Sequence, residues 1–85
     1  MKEISYTIKD ELGIHARPAG LLVKKLAEFA GEVRVGDARK MVDGKRLFAV
    51  MGLGIKQGDE LMLVFDGPGE DDAAAEAEAL LHSHF

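Results

Sequence analysis

The stretch Gly13-Ile14-His15-Ala16-Arg17-Pro18-Ala19 puts an imidazole and a guanidinium two residues apart, just ahead of a proline. A histidine can act as a nucleophile near neutral pH, and an arginine can pair with several oxygens of one phosphate. Pro18 suits the first turn of a helix, where its missing N–H is no loss and its fixed φ fits the geometry. From Ala19 the apolar residues fall at Ala19, Leu22, Val23, Leu26, Phe29 and Ala30, which is helical spacing, and Gly31 is expected to stop the helix. His15 is therefore predicted at the open N-terminal end of that helix. There the unpaired backbone N–H groups, Ala16's among them, and the positive end of the dipole favour an anion. The chemistry this suggests is a phosphoryl group carried on a histidine, because an N–P bond to imidazole is labile enough for the group to be passed on. The plain alternative is a surface histidine that does no more than end a loop.

The elements that must position this stretch can be read on either side of it. Lys2 to Lys9 alternates, with Ile4, Tyr6 and Ile8 on one side, as a half-buried strand does. Asp10 to Gly13 forms the loop into the first helix. Glu32–Val35 and Arg39–Val42, separated by Gly36-Asp37, read as a hairpin. Asp43 or Gly44 is placed to open a short apolar helix over Arg46–Met51, ended by Gly52 and Gly54. Lys56–Asp59 is a turn and Glu60–Phe65 a strand. Asp66-Gly67-Pro68-Gly69 punctuates before a last helix with Glu70, Asp71 and Asp72 in its first turn. On that helix Ala73, Ala77, Leu80, Leu81 and His84 are expected to share the inward face. The order βαββαβα, with no linker or repeat, predicts one α+β domain of two layers.

Composition narrows the function. With no cysteine there are neither disulfides nor thiolate metal sites. The longest apolar run, Leu61 to Phe65, is far too short to span a bilayer, and Met1–Ser5 lacks the apolar core of a signal peptide, so membrane insertion is not expected and a cytoplasmic protein is. All 11 Lys and Arg lie in residues 1–56 with 7 acids, a balance of +4, whereas residues 57–85 carry 8 acids and no Lys or Arg. The plain reading is an acidic C-terminal helix solvated on one face; the functional one is a mildly basic face around His15 that steers acidic partners. Trp is absent and aromatics are only 6%, which speaks against nucleic acid. His82 and His84, two apart, point to different sides of a helix and lack a third ligand, so no metal site is expected. No paired acid and base, nucleophile–base set or cofactor loop suggests an independent enzyme.

Gly-Ile-His-Ala-Arg-Pro-Ala closely resembles the active-site motif of the HPr family, the histidine-containing phosphocarriers of the bacterial sugar phosphotransferase system. A second family-like stretch, Leu47 to Ile55, lies at the expected distance, and the overall length agrees. The resemblance implies an open-faced sandwich of an antiparallel four-stranded sheet with three helices on one face, one of them short. It implies His15 as the phosphoryl acceptor through Nδ1, Arg17 and the Ala16 amide as phosphate stabilisers, enzyme I charged by phosphoenolpyruvate as donor, and IIA-type domains of sugar transporters as acceptors. No cofactor is implied, and the carrier is expected to act as a monomer.

Leu47, Phe48 and Met51 fall at helical spacing after Lys45-Arg46, and either pack a short helix or form an exposed patch that docks partners. The family implies the second role for these three; with Gly20, Lys24 and Arg46 they are the expected docking residues, rimmed by Arg17. Three positions depart from the family pattern. Arg46 stands where many members carry a serine phosphorylated by a regulatory kinase, so that switch is expected to be missing. Gly20 replaces a larger residue on the docking face. Leu12 sits beside the site where some relatives carry a polar group. Two other readings stay open: the nitrogen-regulatory paralogue of the same fold, and an interaction module that binds regulators without passing phosphate.

Overall fold

A computed structural model describes all of residues 1–85, in the order β1 (Lys2–Thr7), α1 (Ala16–Ala27), β2 (Glu32–Gly36), β3 (Met41–Asp43), α2 (Leu47–Met51), β4 (Glu60–Asp66) and α3 (Glu70–His84). The four strands form one antiparallel sheet in the order β1-β4-β2-β3. β4 is central because it is the most apolar strand: Leu61, Leu63 and Phe65 are fully buried on one face, with Met62 and Val64 half-covered on the other. Register pairs Ile4 with Leu63 and Val35 with Leu63, so the inward residues of three strands line up in one row. All three helices cover that face, giving the expected α+β open-faced sandwich.

The core joins Ile8, Val33, Val35, Leu61, Leu63 and Phe65 from the sheet region to Leu22 and Leu26 of α1, Val50 of α2, and Ala74, Ala77 and Leu81 of α3. Burying a leucine of this kind is worth roughly 1.5–3 kcal/mol. The alanine-rich α3 sits close to the sheet, and Lys25 of α1 reaches across to Glu76 of α3 at 2.8 Å.

Four local expectations are corrected. α1 ends at Ala27, with Glu28 still in right-handed geometry, so Gly31 is not its cap; Phe29 is buried beyond the helix and Ala30 is exposed. Gly31 is needed for space instead, since a β-carbon there would lie 2.3 Å from the Asp66 carbonyl oxygen. α2 is capped by Arg46 in extended conformation, not by Asp43 or Gly44. Asp43 instead accepts the Lys45 N–H at 2.9 Å and holds the preceding turn. On α3 the buried alanine beside Ala77 is Ala74, and His84 is exposed.

Candidate functional site

His15 is the N-cap of α1, extended at φ −125° and ψ 171°, and its carbonyl accepts the Ala19 N–H at 2.9 Å. Its imidazole does not cap the helix. In the first turn an N–H has no intrahelical partner. Ala16 and Arg17 make no backbone bond outside the helix either, while Pro18, buried at the third helical position, has no N–H. Two donors are thus left open at the mouth of α1, immediately after the histidine. The dipole adds partial positive charge there, and no acidic residue occupies the first turn to neutralise it.

The His15 side chain is about one-third exposed, at 34%, and its Nε2 lies 3.4 Å from Oδ2 of Asp10. Asp10 is itself well fixed. Its Oδ1 accepts the Leu12 N–H at 2.9 Å, its carbonyl accepts the Gly13 N–H at 2.9 Å, and its own N–H donates to the Phe85 main-chain oxygen at 2.8 Å. The Leu12 N–H, and after it the His15 ring, hold the Asp10 carboxyl below the usual carboxylate range, so it is an anion at neutral pH. Nδ1 of His15 has no hydrogen-bond partner in the protein. The sequence pattern places Asp10 only in a loop; the signal it offers is an aspartate opening a tight turn onto the N–H two residues on.

The loop is anchored from the other side by the segment after α2. Gly13 adopts φ +65°, and Ile14 donates its N–H to the Ile55 carbonyl at 3.2 Å. The two stretches singled out in the sequence, around His15 and over Leu47 to Ile55, are therefore joined through backbone.

Arg17, Lys24 and Arg46 are exposed and form no ion pair. Other cations are engaged in structure: Lys25 with Glu76 and Glu28, Arg39 with Asp37, and Lys45 with the Phe29 and Gly31 carbonyls that lie just beyond α1. Of the apolar residues expected to dock partners, Phe48 is 85% exposed, whereas Leu47 and Met51 are half-buried, and Val50 alone on α2 is fully buried. Gly20 faces open space, with nothing within 4 Å of where a β-carbon would stand. Leu12 and Leu21 are also exposed, at 72% and 46%; helical spacing alone assigns Leu21 no role. His82 sets its ring edge-on to Tyr6 at 4.9 Å.

The pattern of the family described as "PTS HPr component phosphorylation site" matches residues 2–83. The phosphocarrier protein HPr of Lysinibacillus sphaericus is 42% identical over 81 residues, which cover 95% of this chain and 92% of that one. An HPr structure from Thermoanaerobacter tengcongensis superposes with a TM-score of 0.92 at 35% identity, covering 100% of this chain and 96% of the other. A dimeric HPr structure from the same organism matches with a TM-score of 0.76, again at 35% identity, over 98% of this chain and 95% of its own. Pattern, identity along nearly the whole length and a common topology agree, and the chain belongs to the HPr family of phosphotransferase-system phosphocarriers.

Proposed function

We propose that this protein accepts a phosphoryl group on His15 from enzyme I and passes it to IIA-type domains for sugar uptake. The reading rests above all on the position of His15: an imidazole whose Nε2 is engaged by Asp10, at a helix mouth where the Ala16 and Arg17 N–H groups are open. Phosphoryl transfer asks the protein mainly for positioning and for stabilisation of the equatorial oxygens. The Nδ1 lone pair attacks phosphorus in line as the donor's bond to phosphorus breaks. The two amides and the Arg17 guanidinium receive the oxygens. The ring's partial exposure lets donor and acceptor approach in turn, and the carrier is consumed and regenerated stoichiometrically rather than acting as a catalyst.

Partners dock on the surface beside it. Phe48 supplies the exposed apolar centre, Leu47 and Met51 its half-buried flanks, and Gly20 a flat place on α1. Arg17, Lys24 and Arg46, free of internal ion pairs, attract acidic partners. The protein works in the cytoplasm as a monomer; no helix is long and apolar enough to cross a membrane.

The direct test is intact-mass measurement after incubation with phosphoenolpyruvate and enzyme I. One acid-labile phosphate should be added, and none in His15→Ala. Equal uptake by that variant contradicts the assignment. Exposure of Leu12 beside the site, and Arg46 in place of a serine, are compatible with a second reading as the nitrogen-regulatory paralogue. Parallel assays with sugar-type and nitrogen-type enzyme I separate the two, since the faster donor identifies the branch.

A further inference from the structure

We infer that Asp10 is a positioning residue that keeps the His15 ring in the tautomer with its proton on Nε2 and its lone pair on Nδ1. The inference rests on reading His15 as the phosphoryl acceptor. It comes from the geometry of two side chains five residues apart, with Oδ2 of Asp10 at 3.4 Å from Nε2 of His15. An ionised carboxylate can only accept, so the nitrogen that faces it must donate. The opposite tautomer would turn a ring lone pair toward an anion.

Asp10 can hold this position because it is not free to swing. Its second oxygen is committed to the Leu12 N–H at 2.9 Å, and its backbone is tied at both N–H and C=O, to Phe85 and Gly13. The ring it meets sits on an N-cap whose own carbonyl is locked into the first turn of α1. Both partners therefore belong to backbone that is already fixed, and the contact does not depend on ordering a long side chain.

The consequence for transfer is specific. With the proton resident on Nε2, no proton has to move during the chemical step. The Nδ1 lone pair forms the new N–P bond, the donor's bond to phosphorus breaks with its electron pair leaving to the donor, and the Nε2–H stays where it was. Attack places positive charge on the ring, which the adjacent carboxylate offsets. The return step runs the same path in reverse. Phosphate oxygens and Asp10 lie at opposite ring nitrogens, so the anionic side chain stays away from the anionic cargo.

Substitution at position 10 distinguishes this role from a purely structural one. In Asp10→Asn the amide oxygen can still accept the Leu12 N–H, which turns the NH2 group toward Nε2 and makes that nitrogen an acceptor. The proton then belongs on Nδ1 and the nucleophile is blocked. In Asp10→Ala the loop loses its side-chain bond, but the ring keeps its intrinsic preference. A hydrogen bond of ordinary net strength corresponds to a roughly two- to tenfold change in tautomer ratio. The experiment is nitrogen NMR of 15N-labelled, unphosphorylated protein at alkaline pH, paired with the rate of phosphate uptake from enzyme I. The expected result is an unprotonated Nδ1 in the wild type, a shift of the proton toward Nδ1 in Asp10→Asn, and transfer rates falling in the order wild type, Asp10→Ala, Asp10→Asn, with Asp10→Glu restoring part of the loss. A ring tautomer identical in wild type, Asp10→Asn and Asp10→Ala overturns the inference. So does transfer that is slower in Asp10→Ala than in Asp10→Asn, the order a merely structural turn would give. The NMR arm reads the ring without phosphate, so it remains decisive if His15 proves not to be the acceptor.

Discussion

Gly13 stands so close to Ile55 that a β-carbon in its place would lie 2.5 Å from the Ile55 carbonyl oxygen. The same carbonyl accepts the Ile14 N–H, so one oxygen both excludes a side chain at position 13 and fixes the residue before His15. This contact ties the histidine loop to the segment that follows α2, and hence to the proposed docking surface. Gly13→Ala combines a left-handed φ of +65° with that clash. It should destabilise the fold by about 1–3 kcal/mol. Urea unfolding measures the loss, and an unchanged midpoint would show that the two loops are not held this way.

Gly20 presents the opposite case. It lies in α1 with no positive φ and no neighbour for a β-carbon. Gly20→Ala should therefore stabilise the protein by about 0.5–1 kcal/mol through helix propensity alone. In a domain of this size that amounts to a rise in Tm of roughly 4–8 °C per kcal/mol. Calorimetry checks it; a fall in Tm would mean that the position is more crowded than its geometry implies.

Asp37 supplies a pH-dependent contribution at the turn between β2 and β3. The Arg39 side chain, and after it the backbone N–H groups of Arg39 and Lys40, hold its carboxyl below the usual value. A folded pKa below the unfolded one means stabilisation that is complete above the unfolded value, about pH 4, and lost as pH falls through the lowered folded value. The stability difference between wild type and Asp37→Asn should thus be constant from neutral pH down to that range and close toward zero in stronger acid. Denaturant unfolding at several pH values tests the sign; a difference that grows on acidification contradicts it.

Exposure separates docking from packing on adjacent elements. Phe48→Ala, at an 85% exposed position, should change stability by no more than about 0.5 kcal/mol while weakening enzyme I binding. Leu22→Ala, at a fully buried position on α1, should destabilise the fold by about 2–5 kcal/mol. Titration calorimetry and thermal melts distinguish the two, and loss of fold in Phe48→Ala would make that ring structural.

Arg17 is exposed and unpaired, so its replacement touches no packing. Arg17→Ala should retain the wild-type Tm and slow phosphate transfer several-fold, as loss of a bidentate phosphate contact does. Stopped-flow or quenched transfer assays measure the rate, and an unaltered rate removes Arg17 from the mechanism.

Much of the architecture was legible because it rests on periodicity. Ile4 and Tyr6 alternate as strand residues must, half-buried and buried on one face of β1, with Ile8 buried just beyond its end; Leu22 and Leu26 repeat as helix residues must and are fully buried. What escaped were properties set by neighbours in space. Gly31 reads as a helix stop, yet Asp66 from a distant strand decides its identity. Asp43 reads as a helix cap, but the turn before α2 claims its side chain. On α3, uniform alanine gives too little contrast to choose the inward face, so Ala74 and His84 were exchanged in effect. Residue type and the proline beside them single out His15 and Arg17 as candidates. They do not single out Asp10, because nothing in a spacing of five says that a turn will fold the carboxylate back onto the ring.

The proposed relay requires phosphorus to become bonded to Nδ1 of His15. Phosphorus NMR of protein labelled with 15N in its histidines, charged by phosphoenolpyruvate and enzyme I, reads that bond through its phosphorus–nitrogen coupling. A single phosphoramidate signal coupled to Nδ1 of His15, and missing from His15→Ala, is the predicted result. Phosphorus on Nε2, on His82 or His84, or on oxygen would contradict it.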